Sequence, residues 1–358
     1  NFSELVKNQT FSAPIVRFPK NSLDEHGTRV VVRKLKEGVF GDLKKSERSI
    51  RRRLEIIYSP ILERERVGFY LQGKQLHAQP HCVWGETRYV VRKHEKIFAV
   101  QNIDRDLGDT WFDLGRNRYL SEDEGAVYDI AESKAELIPG HIVRRARRLK
   151  GWIGIQRYAD PSEFGIDFIR NGRKILVAEK SVFGYENPDS GAFISEYPVE
   201  LGSTVGGRIV GELHVDYLIP TYQKNSFDTT DMSWRVTIEA LRGAGPILPM
   251  KRKALGYDGD NRSPLAILAN AYRRVDPGTK NLFLRSGVAK DLLKKYINKD
   301  PDYLPDDRWY LAAQDADRER GAPSTPVNPG VNQSDDPDLY GPTTDINHVS
   351  APVLNPQP

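Results

Sequence analysis

The sequence predicts an α+β protein, and three observations carry that prediction. A stretch alternating around Asn171-Gly172, from Gly165 to Leu176, reads as a β-hairpin. Apolar residues Ile50, Leu54 and Ile57 recur at helical spacing within Leu43–Tyr58, which reads as an amphipathic helix ending before Pro60. The 358 residues, 39% hydrophobic and 28% charged, suffice for two domains with a sizeable core and no need of staples or metals.

Taken in order, Gly27–Leu35 is β-branched and bounded by turn residues, a strand. Gly68–Leu71 and Gln75–Leu76 flank Gln72-Gly73-Lys74, a second hairpin in which glycine takes the positive φ of the turn. Trp84–Val91 and Ile97–Val100 read as further strands. The acidic stretch Glu122–Leu137 and the basic stretch Ile142–Lys150 read as a helix pair. Val205–Leu218 and Trp234–Leu241 are apolar segments, the second open between strand and helix. From Gly321 to Pro358 there are eight prolines and one aromatic residue, Tyr340, a composition that buries too little surface to offset its ordering entropy.

Composition excludes several classes. No apolar run approaches the roughly 20 residues of a membrane-spanning helix, so no membrane partner is expected. The single cysteine, Cys82, rules out an internal disulfide and, with the lack of an apolar N-terminal segment carrying a cleavage site, points to a reducing, cytoplasmic compartment. The chain opens Asn1-Phe2-Ser3 and its two methionines, Met232 and Met250, are internal, so an upstream segment is expected. His77, His81 and Cys82 lack a fourth ligand at a zinc spacing, Asp104, Asp106 and Asp109 suit an ordinary acidic loop, and no nucleophile arrangement of Ser/His/Asp or Cys/His type stands out. No metal site is expected.

Two segments make chemical sense together. His26-Gly27-Thr28 opens a strand, where glycine permits close approach and the threonine hydroxyl can reach a base or a bridging water; its plain reading is a turn at the start of a strand. The second is Leu218–Asp228, containing Pro220-Thr221-Tyr222-Gln223-Lys224-Asn225-Ser226-Phe227. Here the chain resembles the MORC branch of the GHKL ATPases, the superfamily of DNA gyrase and the large heat-shock chaperones, in which a strand leads into a segment like Pro-Thr-His-Asn-Lys-Gln-Asp-Phe. Pro220, Thr221, Lys224 and Phe227 stand in register with it, whereas Tyr222, Gln223, Asn225 and Ser226 depart from it. The upstream order is also similar, from the Gly-Thr strand through the arginine-rich helix to the two hairpins, so the resemblance spans roughly residues 20–245.

The resemblance implies a C-terminal portion of such an ATPase: residues 1–40 the end of the ATPase domain, 41–250 a transducer domain of the ribosomal-protein-S5-domain-2-like type with a mixed sheet and packed helices, 251–320 a helical extension and 321–358 a disordered tail or linker. It implies ATP contacts at Gly27, Thr28, Gln223 and Lys224, with Lys224 as the catalytic cation on the γ-phosphate. The helical asparagine motif that holds magnesium and the Asp-x-Gly-x-Gly segment that reads adenine are not found, and Asp258-Gly259-Asp260 is too short a match. ATP and Mg2+ are therefore expected to be held mainly by an upstream ATPase domain, in cis or in trans, within a homodimer.

Net charge is only +4, but basic residues cluster. Arg51, Arg52 and Arg53 form one group and Arg144, Arg145, Arg147, Arg148 and Lys150 another; both are candidates for neutralising DNA phosphates. The bland reading is a solvated helix face with acidic neighbours such as Glu47 and Glu55. The competing functional expectation is a non-enzymatic nucleic-acid-binding or scaffold module that keeps the transducer fold.

Overall fold

The structure, a computed structural model, describes residues 43–64, 67–160, 162–197, 207–274 and 276–319. The strand expected at Gly27–Leu35 and the tail 321–358 lie outside the described residues. The chain divides into two compact units, one ending at Ile50 and one starting at Arg51. Of the first, only the front of helix α1 (Leu43–Ile57) is described.

The second unit is α+β. After α1 come α2 (Ser59–Leu62), the hairpins β1 (Tyr70–Leu71) with β2 (Lys74–Gln75) and β3 (Tyr89–Arg92) with β4 (Glu95–Phe98), then β5 (Val100–Asp113), β6 (Arg118–Tyr119), α3 (Glu122–Ser133) and β7 (Ile142–Ile155). There follow β8 (Gly165–Arg170), β9 (Arg173–Glu179), β10 (Gly184–Glu186), β11 (Phe193–Ser195) and β12 (Ile209–His214). The chain then turns helical, with α4 (Met232–Arg242), α5 (Pro249–Ala254), α6 (Pro264–Tyr272), α7 (Ser286–Ile297) and α8 (Asp307–Glu319).

Both expected hairpins form. Asn171 and Gly172 have φ of 51° and 76°, Gln72 and Gly73 of 50° and 74°, the paired positive φ values that match a two-residue turn to strand twist. The central sheet has strand order β6-β5-β7-β12-β8-β9. It is mixed, because β12 runs parallel to β8 and antiparallel to β7.

Two expectations are corrected. Ile142–Lys150 is a strand, not the second member of a helix pair: β7 pairs with β5 from Ile142 to Gly154 and with β12 from Lys150 to Ile155. Arginine and alanine favour a helix locally, and pairing with a strand on either side overrides that preference. For the same reason Asp104, Asp106 and Asp109 lie within β5, with a register shift between Asp106 and Asp109, and not in a loop. Glu122–Ser133 does form a helix, closed by a capping box between Ser121 and Glu124. The open segment at Trp234–Leu241 is helical.

The core lies on one face of the sheet, where Leu149, Ile153, Phe168 and Leu213 meet Trp234, Leu241, Leu265, Leu268 and Trp309 in one cluster. The region read as a helical extension thus shares the core of the sheet. Arginines fasten its loops. The guanidinium of Arg208, 3% exposed, donates to the carbonyls of Tyr272 (2.9 Å) and Leu282 (2.7 Å), and burial pulls its pKa down to about 10. Arg157 donates to the carbonyls of Val83 and Leu304 at 2.7 and 2.9 Å. Five donors and no acceptor suit arginine to gathering loop carbonyls that secondary structure leaves unpaired. Among the described residues no helix is long and apolar enough to cross a membrane.

Candidate functional site

The segment after β12 folds into a closed loop. Pro220 and Phe227 form an antiparallel bridge, Thr221 N–H donates to the Ser226 carbonyl (2.9 Å), and Lys224 N–H donates to the Thr221 carbonyl (2.8 Å). Within the tip, the Asn225 amide donates to Gln223 Oε1 at 3.2 Å. The base is fixed by aromatic packing: Phe227, 2% exposed, stacks at 6.1 Å on Trp234 of α4, whose ring lies 5.2 Å from Phe168 of β8. Lys224 itself sits at φ 53°, the left-handed region that disfavours a side chain. Its side chain is exposed and forms no ion pair among the described residues. Gln223 is exposed beside it, and Tyr222 is fully exposed. Gly27 and Thr28 lie outside the described residues.

The candidate DNA-contacting residues are divided by the fold. Arg51 donates to the carbonyls of Leu71 and Gln75, bracing the β1–β2 turn. Arg52 meets Glu163 at 3.0 Å in an exposed pair, and Arg53 is exposed. Because β7 is a strand, the second group alternates between two faces. Arg144 pairs with Asp129 (2.6 Å) and Glu132 (2.9 Å) of α3. Arg145 lies over the Phe112 ring at 3.5 Å. Arg147 donates to the carbonyls of Leu107 and Gly108, and Arg148 makes a two-pronged bond to Asp104 at 2.7 and 2.8 Å. Arg145, Arg148 and Lys150 come together with Arg170, His214, Asp216 and Tyr217 around one shallow groove.

A third constellation was not foreseen from the sequence. On the sheet face opposite the core, Lys174 Nζ lies 2.6 Å from Asp167 Oδ2 and 2.6 Å from Glu212 Oε1. His81 Nε2 is 2.9 Å from the same Asp167 oxygen, and its ring lies edge-on to Trp152. Ala178 N–H donates to the other Asp167 oxygen at 2.7 Å. A carboxylate accepts only, so His81 carries its proton on Nε2. Burial opposes ionisation of Asp167, yet the hydrogen bond from His81 and the charge of Lys174 outweigh it and hold the carboxyl below its ordinary range. Burial likewise opposes the charge on Lys174, but Asp167 and Glu212 together hold its pKa above the usual lysine value.

His81, Asp167 and Glu212 have ligating atoms within 4.8 Å of one another. The Lys174 ammonium already lies between the two carboxylates, so the chain supplies its own cation there. His77 and Cys82 take no part: His77 is exposed, while Cys82 is 3% exposed and burial pushes its thiol up to about 12. The sequence trace of the cluster is an acidic residue inside each of two mainly apolar strands, Asp167 in β8 and Glu212 in β12.

No protein-family model matches this chain, and no curated protein matches it.

Proposed function

We propose that this chain is the transducer portion of a GHKL-type ATPase, coupling ATP binding and hydrolysis to closure of a homodimer. In this reading an ATPase domain, in cis or in trans, holds ATP and Mg2+, while Lys224 enters from the transducer and meets the γ-phosphate. Charge spreads over the phosphoryl oxygens during transfer, and a cation aimed there stabilises the transition state electrostatically. Closure is favoured because Lys224 gains its anionic partner only in the closed arrangement, and hydrolysis removes that differential contact.

The observation that carries this reading is the presentation of Lys224: an outward ammonium with no ion-pair partner among the described residues, at the tip of a loop anchored by Phe227 and Trp234. A fixed tip loses little further entropy when it meets its ligand. The mixed sheet with helices packed on one face is compatible with the transducer type. Gln223 serves as the neighbouring polar contact, and Gly27-Thr28 as the contact from the ATPase side.

The test is ATP turnover by the protein assembled with its ATPase domain. Lys224→Ala is expected to lower turnover by at least about 100-fold, as loss of a charge-stabilising donor does elsewhere, without loss of folding. Unchanged turnover would remove the proposal. The basic groove favours a second reading, a nucleic-acid-binding or scaffold module without ATPase activity, which predicts DNA retention indifferent to nucleotide.

A further inference from the structure

The hairpin β3–β4 presents an apolar face outward. Side chains alternate along each strand, and Val90 and Ile97 point into the core cluster. Tyr89 and Val91 therefore point away from the core, together with their cross-strand partners Phe98 and Lys96. Val91 is 51% exposed and Phe98 43%. The Tyr89 and Phe98 rings meet edge to face at 5.8 Å, and Lys96 Nζ lies 4.7 Å over the Tyr89 ring. Lys96 is exposed and forms no ion pair among the described residues. Tyr310 of α8 borders the face through Arg88, whose guanidinium lies 4.0 Å over its ring while Asp306 and Asp307 neutralise the charge. The result is an aromatic surface with one uncompensated cation.

We propose that this face binds a segment of the same chain, Asp335-Asp336-Pro337-Asp338-Leu339-Tyr340. Residues 321–358 follow α8, which itself carries Tyr310, and they contain eight prolines, four aspartates and no lysine or arginine. Within them, Asp335–Tyr340 alone joins three of those aspartates to a proline, a leucine and the one aromatic residue. That composition mirrors the face. Leu339 and Tyr340 have apolar area to bury on Phe98 and Val91, Pro337 suits the flat Tyr89 ring, and the carboxylates suit Lys96. Proline enters such contacts with little conformational freedom left to lose. Residues 320–334, between α8 and the segment, span up to roughly 50 Å when extended, whereas Tyr310 lies only about 14 Å along α8 from Glu319. The tether holds the segment near the face at an effective concentration on the order of millimolar, so a small contact suffices. The inference stands apart from the ATPase reading and from the basic residues of β7, since it involves neither nucleotide nor DNA.

The experiment is electron paramagnetic resonance of the full chain with a nitroxide on Gly341→Cys, just beyond the segment. Cys82 is buried and stays unlabelled. An immobilised spectral component is expected, in a proportion that does not change with protein concentration. Phe98→Ser on the face and Leu339→Ser in the segment are each expected to lower the ratio of immobilised to mobile label about tenfold, the effect of one lost apolar side chain. Lys96→Gln is expected to lower it about threefold at low salt and to have no effect at about 1 M KCl, where charges are screened within about 3 Å. Val127→Ser, at an exposed apolar residue of α3, is expected to leave the ratio unchanged. A spectrum with no immobilised component would overturn the proposal, as would Phe98→Ser and Leu339→Ser both matching Val127→Ser. An immobilised fraction that grows with concentration would overturn binding within one chain and assign the face to a second copy. The two serine variants lie on opposite sides of the contact, so a folding defect in one leaves the other informative. None of these readouts depends on Lys224, so failure of this contact and failure of the ATPase reading are distinguishable.

Discussion

Lys174 and Asp167 form an ion pair at 2.6 Å with both side chains only 1% exposed, and the same ammonium reaches Glu212 at 2.6 Å. The pair joins β8 to β9, and through Glu212 to β12, on the face away from the hydrophobic cluster. Two carboxylates and one ammonium would be costly to desolvate singly; together, with His81 and the Ala178 N–H, each charge has a partner.

Lys174→Met therefore leaves Asp167 and Glu212 facing each other without a cation. It is expected to cost about 3–5 kcal/mol, the range for removing one partner of a buried pair, read from urea unfolding. A loss below about 1 kcal/mol would show that water or a rearranged side chain replaces the ammonium.

The pH dependence has a defined sign. Asp167 is held below its unfolded value of about 3.9, so its contribution is complete above that pH and disappears as pH falls through the folded value. Lys174 is held above its unfolded value of about 10.4, so its contribution is complete below that pH and disappears as pH rises through the folded value. The stability gap between wild type and Asp167→Asn is expected to be constant near neutrality and to shrink below about pH 4. A gap independent of pH down to the acid transition would contradict this.

Lys224→Gly separates strain from chemistry. Glycine accepts φ 53° without the side-chain penalty but loses backbone entropy on folding, so folding stability should rise by no more than about 1 kcal/mol. ATP turnover of the assembled protein should fall as it does in Lys224→Ala. A clear destabilisation would place Lys224 in the structural support of the loop.

Gly151, at φ 144°, lies where β7 faces β12, and a Cβ there would collide with the Glu212 carbonyl. Gly151→Ala is expected to cost more than about 3 kcal/mol, as strained substitutions against fixed backbone do. It should also loosen the Lys174 cluster through displacement of Glu212, measurable as faster amide exchange in β12.

Cys82 offers a native-state probe. Its thiol is buried with a pKa pushed up to about 12, so the thiolate is scarce at neutral pH. Thiol reagents such as dithiobisnitrobenzoate are expected to react only at the rate of unfolding, and to react at once in denaturant. Fast labelling of the folded chain would show that the segment around His81 opens.

Much of the fold was legible locally. Asn171-Gly172 and Gln72-Gly73 fixed two hairpins because a two-residue turn of that kind demands positive φ. The acidic stretch from Glu122 read as a helix, and the structure closes its start by reciprocal bonds of Ser121 and Glu124 to the backbone. The turn at Lys93-His94, with φ 45° and 66°, carried no such signal, since neither residue is glycine. The Arg144–Lys150 run was misread as helical for a related reason: its arginines are compatible with both periods, and only β5 and β12 on either side make a strand the better solution.

The site divides along the same line. Sequence by itself determined the Lys224 segment as a distinctive feature, because Pro220, Phe227 and the residues between them build their loop from near neighbours. Tertiary structure alone decided which basic residues remain available and which are spent on Asp104, Asp129, Glu132 or the backbone carbonyls at the irregularity of β5. It alone brought Asp167, Lys174, Glu212 and His81 together, because their proximity follows from strand register across β8, β9 and β12, set by the packing of the whole sheet.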